Sequence, residues 1–347
     1  MESQHRLMFD DARTLDSIDS CELVVTSPPY PMIEMWDPTF TAIDPTIDDA
    51  LASGDGQRAF DAMHAILDAV WNELASVVVP GGIVCINVGD ATRSLHESFR
   101  AYHNHARIID GMEAAGFETL PDILWRKPAN SAAKFMGSGM VPPNAYVTLE
   151  HEYILIFRKG SARRTFPPKD SARYEAAYFW EERNTWFSDL WTDVRGIDQE
   201  LVGDESRERT GAYPLEIPYR LLSMFSIYGD TVLDPFAGTG TTTLAAMMTG
   251  RNSISIEIDR DLENTIRQRL ADAPRLANRW NRERLDDHQE FVEAQQETGT
   301  SFDYTATCYD VPVRTAQEEQ IQFYAIDDMT ETPDGYQLTH HPFVPKR

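Results

Sequence analysis

The stretch Asp234-Pro235-Phe236-Ala237-Gly238-Thr239-Gly240-Thr241-Thr242 constrains the fold most. An apolar run, Thr231-Val232-Leu233, leads into it, a helical segment from Thr241 to Met248 follows, and Ile254 to Ile258 reads as a second strand. Glycines between a strand and a helix allow a tight turn and let a ligand lie against backbone at a helix N-terminus. Strand, loop, helix and strand make a βαβ unit, which places two parallel strands under a crossover helix. No Lys follows Gly240, so the loop is not a P-loop, and Thr243 stands at the third glycine position of a dinucleotide fingerprint. The sequence therefore predicts a helix tucked less tightly to the sheet than a pyrophosphate site requires. Glu257, at the end of the second strand, is placed to accept from two ribose hydroxyls. A nucleoside ligand without pyrophosphate, such as S-adenosylmethionine, suits this arrangement.

A second motif, Thr26-Ser27-Pro28-Pro29-Tyr30, ends the apolar run Leu23-Val24-Val25. Neither proline has an N–H to give, so the sheet ladder stops there and carbonyl oxygens are left pointing outward. A hydroxyl, a free carbonyl and an aromatic face at a strand end suit a flat ring bearing an amino group. A proline turn after a core strand is the plainer reading of this motif taken alone.

The rest of the chain alternates in the same way. Residues 5–19 read as a strand, Arg6-Leu7-Met8-Phe9, a turn at Asp10-Asp11 and a short helix. Residues 31–56 read as a long loop. Phe60, Met63, Leu67, Val70, Trp71 and Leu74 recur at helical spacing. Pro80-Gly81-Gly82 stops that helix before a core strand over 83–88. A helix near 96–115, capped by Gly116, precedes a strand ending at Trp125-Arg126-Lys127-Pro128. Leu149 to Phe157 returns as a strand, 158–212 fits neither period, and a helix is expected from Leu215 to Phe225. A charged helix covers about 261–271, and residues 281–347 read as an appended helix plus irregular structure. The fold class is α/β, a parallel sheet covered by helices.

Together the two motifs resemble the amino-methyltransferases of DNA, which methylate the exocyclic nitrogen of cytosine or adenine. The catalytic motif precedes the cofactor motif, as in the β group of that family, a circular permutation of the Rossmann-like methyltransferase fold. Trp125-Arg126-Lys127-Pro128, His151-Glu152-Tyr153 and Thr210-Gly211-Ala212-Tyr213-Pro214 are similar to further family elements, although His-Pro is usual where Thr210-Gly211 stands here. The resemblance covers roughly 5–270. It implies a catalytic half over 1–128, a connecting strand and target-recognition insertion over 129–212, a cofactor half over 213–272 and an acidic extension over 273–347. It also implies S-adenosyl-L-methionine as cofactor, held by Asp11, Thr26, Asp234, Pro235, Phe236, Gly238, Gly240, Thr241, Thr242 and Glu257. Catalysis falls to Ser27, Pro28, Pro29 and Tyr30. Ser27 Oγ and the Pro28 carbonyl would accept from the amine, and Tyr30 would stack on a base flipped out of the duplex. Methyl transfer is then a single in-line displacement assisted by orientation. Ser at the first motif position leans toward cytosine N4 over adenine N6, and solitary haloarchaeal enzymes of this kind suggest CTAG. A catalytically idle nucleic-acid-binding module, and an RNA or protein methyltransferase, are the other readings.

Composition adds partners and surroundings. Fifty-six acidic residues against 31 basic ones give a formal charge of −25, and only 5 of the bases are Lys. Such a surface resembles that of halophile proteins, in which concentrated salt screens self-repulsion. No apolar run approaches a membrane span and no signal region opens the chain, so a cytoplasmic, nucleoid-associated protein is expected, monomer or homodimer. Cys21, Cys85 and Cys308 are too scattered for a CxxC pair, no Cys follows Pro as a C5-cytosine enzyme needs, and no metal is expected. Double-stranded DNA must then be gripped locally. Arg158, Lys159, Arg163, Arg164, Lys169 and Arg173, followed by Tyr174, Tyr178, Phe179, Trp180 and Trp186, are the candidate DNA-binding stretch. On this reading, Arg163→Ala with Arg164→Ala weakens DNA binding and spares the cofactor.

Overall fold

The computed structural model describes residues 1–127, 136–137, 140–194 and 213–345. The chain begins with β1 (Glu2–Met8), β2 (Cys21–Thr26), α1 (Asp37–Ile43), α2 (Thr46–Ala52), α3 (Gly56–Val77) and β3 (Val78–Val88). A hairpin, β4 (Ala91–Leu95) and β5 (Ser98–Tyr102), leads to α4 (Asn104–Ala114), β6 (Phe117–Arg126), the short pair β7 (Met136–Gly137) and β8 (Ala145–Tyr146), and β9 (His151–Lys159). Then come α5 (Ser171–Glu175), α6 (Trp180–Trp186), β10 (Leu190–Trp191), α7 (Glu216–Phe225), β11 (Thr231–Asp234), α8 (Thr241–Met248) and β12 (Asn252–Ile256). The chain closes with α9 (Glu263–Leu270), α10 (Ala273–Glu297), β13 (Tyr304–Ala306), β14 (Val311–Val313), β15 (Tyr324–Thr332) and β16 (Gly335–Pro342).

One ten-stranded sheet runs β10-β6-β9-β3-β2-β11-β12-β1-β16-β15. β1, β12, β11, β2 and β3 are parallel neighbours. From β2 the chain crosses over to β3 on one side, whereas from β11 it crosses to β12 on the other. The β2/β11 seam is therefore a topological switch point, where α/β sheets open a crevice at their carboxyl ends.

Each face of the sheet is covered by helices. Val24, Val84, Ile86, Val88, Leu233, Ile254 and Ile256 pack toward α3 and its neighbours, where Met63, Leu67, Val70, Trp71 and Leu74 form the buried stripe. That stripe follows the helical period, and Asp55 starts α3 by accepting from the Arg58 amide (3.1 Å). Leu23, Val25, Cys85, Val232, Ile154 and Ile156 pack the other face against α7, α8, α9 and α10.

Several sequence expectations change here. Residues 10–20 hold turns and no helix, and the 31–56 stretch folds into α1 and α2. β3 starts at Val78, because the ladder steps from Cys21↔Val78 to Leu23↔Ile83 and leaves Pro80-Gly81-Gly82 outside the pairing. The 96–115 helix begins only at Asn104, since residues 91–102 form the β4–β5 hairpin. The sheet is mixed, as β9 runs antiparallel to both β3 and β6. The C-terminal segment is not irregular: β16 pairs antiparallel with β1 and β15 pairs with β16, so the extension completes the sheet edge. A third small core joins Phe179 of the insertion to Leu285, Val311, Val313, Ile321 and Phe323 of the extension. α6 is fastened there by Arg284 to Glu182 (2.5 and 2.7 Å), His288 to Glu181 (2.6 Å) and Trp180 N to Glu318 (2.8 Å). Among the described residues no helix is long and apolar enough to cross a membrane.

Candidate active site

At the carboxyl ends of β2 and β11 the two motifs meet. Thr26 Oγ1 donates to Asp234 Oδ1 at 2.6 Å, and Thr242 Oγ1 donates to the Val25 carbonyl at 3.2 Å. These bonds lock the end of the catalytic strand to the glycine loop. Thr26 and Thr242 thus stand behind the site as fasteners, while Ser27, Pro28, Pro29 and Tyr30 line a cavity of about 630 Å³. Asp11, Asp234, Pro235, Phe236, Gly238, Thr241 and Glu257 line the same cavity. Trp36, Phe40 and Ile43 from the α1 region and Leu67 and Val70 of α3 complete an apolar wall.

The glycine loop has the shape its sequence predicts. Gly238 (φ +53) and Gly240 (φ +77) are left-handed, and a Cβ on Gly238 would meet no atom within 4 Å. Gly238 N donates to Glu257 Oε2 (2.7 Å) and Asp259 N to Glu257 Oε1 (2.9 Å), so two backbone amides aim the carboxylate. Thr243 corrects one expectation. Its side chain is fully buried and its Oγ1 meets Ser255 Oγ at 2.5 Å, and every residue of α8 is buried. The helix is tucked closely to the sheet, because a hydroxyl bonded to the facing strand fits where a glycine was expected to be needed.

The electrostatics of this half favour a cation. Burial pushes the Asp234 carboxyl up to about 6, against its bonds from Thr26, Thr242 and the Phe236 amide. Burial also raises Glu257, against the amides of Asp259 and Gly238. Neither carboxylate has a salt-bridge partner among the described residues. Asp11 differs, since Arg13 grips it (Nη2 2.5 Å, Nε 3.0 Å) and its hydrogen bonds hold it below the usual carboxylate range.

On the catalytic side the structure adds residues that the sequence reading did not place. Tyr30 Oη lies 3.0 Å from Ser27 Oγ, donates to Glu152 Oε2 (3.1 Å) and accepts from Asn87 Nδ2 (2.8 Å). Asn87 Nδ2 also donates to Glu152 Oε2 (2.6 Å), and Lys127 Nζ donates to Glu152 Oε1 (2.5 Å). Asn87 and Glu152 are buried, and Asn87 Oδ1 has no hydrogen-bond partner among the described residues. Burial and the Glu152 charge raise Tyr30 well above its ordinary value, so its hydroxyl stays protonated. The available sequence signal was a polar residue inside each of two apolar strands, Asn87 in β3 and Glu152 in β9. Neither strand alone tells which polar residue faces the cavity.

The basic stretch lies elsewhere. Ile83 pairs with Arg158 and Val88 with Tyr153, so β9 ends at the amino end of β3. That is five residues, about 17 Å of strand, from the catalytic end. Arg158 binds Glu118 (2.5 Å), Lys159 Nζ donates to the carbonyls of Ala75 (2.5 Å) and Val78 (2.7 Å), and Arg164 clasps Asp230 (2.6 and 2.8 Å). Arg164 and Arg173 both lie over the Phe166 ring. Arg163 adjoins Gly81, at the same end of the sheet. Lys169 has a left-handed φ of +60 in the turn before α5. Arg158, Lys159 and Arg164 fasten the far end of the sheet, and none of the six cations lines the cavity. The expected element over 210–214 is described only from Tyr213, whose Oη meets Thr242 Oγ1 (2.6 Å); residues 210–212 lie outside the described residues, as does Pro128.

Comparison with known proteins agrees with this geometry. A family model described as DNA methylase, of the N6/N4 methyltransferases, matches residues 21–268. The chain belongs to the N6/N4 DNA methylase family. It is 47% identical over 328 residues to the Type II methyltransferase M.MthZI of Methanothermobacter thermautotrophicus, covering 93% of this chain and 91% of that one. It is 49% identical over 286 residues to the Type II methyltransferase M.MjaI of Methanocaldococcus jannaschii, covering 77% and 91%. Among solved structures, a putative DNA modification methylase of Thermus thermophilus, complexed with S-adenosyl-L-methionine, superposes with a TM-score of 0.59 at 30% identity, over 78% of this chain and 94% of the other. The fold is the Rossmann-like α/β fold of the S-adenosylmethionine-dependent methyltransferases.

Proposed function

We propose that this DNA methyltransferase transfers a methyl group to the exocyclic N4 of a cytosine flipped from duplex DNA. S-adenosyl-L-methionine is the cofactor, and when bound it supplies the methyl group as an electrophilic sulfonium. The observation that carries the reading is the convergence of Ser27-Pro28-Pro29-Tyr30 and the glycine loop with Glu257 on one cavity of about 630 Å³. Two carboxylates with no salt-bridge partner among the described residues, one of them aimed by two backbone amides, suit a cationic nucleoside: Glu257 for the ribose hydroxyls, Asp234 for the positive charge.

An aromatic amine is a weak nucleophile because its lone pair is delocalised into the ring. Ser27 Oγ and the Pro28 carbonyl accept from its N–H groups and draw the nitrogen toward tetrahedral geometry. Tyr30, anchored by Ser27, Asn87 and Glu152, presents its ring to the base. Orientation of the amine toward the methyl group then supplies the rate.

Duplex DNA would lie across the carboxyl end of the sheet. There the 140–149 segment exposes Met140, Val141, Tyr146, Val147 and Leu149, and Phe99 of the hairpin stacks on Tyr146 at 4.9 Å. Arg126 ends β6 and is paired with Glu150, and Lys127, which follows it and lines the cavity, is paired with Glu152 while 48% exposed. Apolar side chains can fill the space a flipped base leaves, while the cations meet phosphates. Of the two candidate faces this one flanks the cavity, and 158–173 lies toward the opposite end of the sheet. The acidic composition fits work in concentrated salt, where counterion release contributes less to DNA binding.

Ser27 favours cytosine, and adenine N6 is the second reading because the same ledge accepts either amine. CTAG is the first recognition sequence to test. DNA methylated by the enzyme, hydrolysed and resolved by nucleoside mass spectrometry, is expected to contain N4-methylcytosine, and Ser27→Ala is expected to abolish it. N6-methyladenine in its place would overturn the cytosine assignment, and no methylated base would overturn the function.

A further inference from the structure

We propose that Asp90, His103 and His105 form a binding site for a divalent transition-metal ion of the zinc or cobalt class, which clamps the feet of the β4–β5 hairpin. The inference goes beyond methyl transfer and does not depend on it. Asp90 follows β3, one residue before the hairpin begins, and His103 follows β5 at the start of α4. His105 sits in the first turn of the same helix. Twelve residues separate Asp90 from His103 in sequence, so spacing gave no sign of a shared site. The fold closes the gap, because the hairpin returns the chain to its starting point.

The geometry is that of two imidazoles and a carboxylate turned toward one point. His103 Nδ1 lies 3.0 Å from Asp90 Oδ2, and His105 Nδ1 lies 2.8 Å from each Asp90 oxygen. One ligand atom from each residue falls within 4.8 Å of the others. A tetrahedral ion with bonds of roughly 2.0–2.1 Å spaces its ligands about 3.3 Å apart, so the two His–Asp separations open by about half an ångström or less while the two imidazole nitrogens, within 4.8 Å of each other, settle to the same spacing. His103 can supply that movement, as its side chain is 65% exposed, while Asp90 is 8% exposed and held in place. His105 is oriented by stacking on Tyr153, with ring centroids 4.0 Å apart and planes 16° from parallel. Two neutral imidazoles with one carboxylate select Zn²⁺, Co²⁺ or Ni²⁺ over Mg²⁺ and Ca²⁺, which prefer oxygen ligands.

Binding balances in protons. Without an ion each Nδ1–H donates to Asp90. On binding, each imidazole carries its proton on Nε2 instead, and Nδ1 gives its lone pair to the metal. Three protein ligands leave a coordination position for water on the exposed His103 side. The consequence reaches the active site through Gly89, the neighbour of Asp90. A Cβ there would stand 3.2 Å from Tyr30 and 3.3 Å from Glu152, so the end of β3 packs directly on the catalytic wall. An ion that fixes Asp90 steadies that wall.

The test uses the full-length chain without an affinity tag, stripped with chelator, then titrated with Zn²⁺ by calorimetry and with Co²⁺ by visible absorption. One equivalent per chain is expected, with intense tetrahedral Co²⁺ bands and a raised melting temperature. His103→Ala, at an exposed position, should fold and melt as the metal-free parent does and bind at least ~10-fold more weakly. His96→Ala, at the hairpin tip, is the control and should bind as the parent does. Absence of stoichiometric binding to the parent would overturn the proposal. So would undiminished binding by His103→Ala, or loss of binding in His96→Ala alone.

Discussion

Replacing Glu152 by Gln tests whether the buried carboxylate positions Tyr30. Glu152 Oε2 accepts from Tyr30 Oη and Asn87 Nδ2, and Oε1 accepts from Lys127 Nζ. Hydrogen bonds to a charged group contribute about 1.5–3 kcal/mol each. Gln can keep its oxygen toward Tyr30 and Asn87, but its amide then faces the Lys127 ammonium, donor to donor. Lys127, 48% exposed, can swing into water, so its lost bond costs little. What remains is the weakening of two bonds from charged to neutral acceptors, about 1.5–3 kcal/mol together. If that energy holds the Tyr30 ring for the base, the single-turnover rate of methyl transfer falls about 10- to 100-fold. The cofactor dissociation constant should stay within about twofold, because Glu152 touches neither Gly238 nor Glu257. The assay is rapid-quench transfer of labelled methyl to duplex DNA, paired with calorimetric titration of the cofactor. An unchanged rate in a folded variant, or a loss expressed mainly in cofactor affinity, would refute the reasoning.

Three further outcomes follow from the same geometry. Burial pushes the Asp234 carboxyl up to about 6, so as pH falls through that range it takes up a proton and ceases to oppose a cation; cofactor affinity should weaken as pH falls from about 7 to 5, and Asp234→Asn should flatten the dependence in calorimetric titrations. Arg164→Ala should lower unfolding free energy by about 1–3 kcal/mol in denaturant titration, since Asp230 loses both guanidinium bonds, and DNA affinity measured by anisotropy should not change; a selective loss of DNA binding would restore the basic stretch as an interface. Removing residues 298–347 should leave the β1 edge and the apolar face of α10 open and drive aggregation visible in sedimentation; a monodisperse truncated chain would show that the C-terminal hairpin is dispensable.

The α/β methyltransferase fold and the two motifs that meet at its cavity were legible in the sequence because they rest on local chemistry. Strand, glycine loop and helix form a unit whose turn needs left-handed residues, and Gly238 and Gly240 supply them where the structure uses them. Pro28-Pro29 ends a strand by lacking N–H donors, and Glu257 follows a strand at a fixed distance from the loop. What escaped the sequence depends on partners far along the chain. A basic run next to aromatics has the same composition whether or not its members are engaged within the protein, as Arg158, Lys159 and Arg164 are by Glu118, backbone carbonyls and Asp230.

Residues 324–342 show the same limit from the other side. Their strands carry Asp327, Asp328 and Glu331 on an exposed face and alternate weakly, so they read as irregular until the unpaired edge of β1 gives them a ladder. Glu152, Asn87 and the Asp90–His103–His105 cluster likewise become sites only when strands and a hairpin distant in sequence bring their side chains together. Local backbone demands are written in neighbouring residues and can be read there. The pairing of charges is decided by which surfaces the packed sheet sets face to face, and only the tertiary structure holds that information.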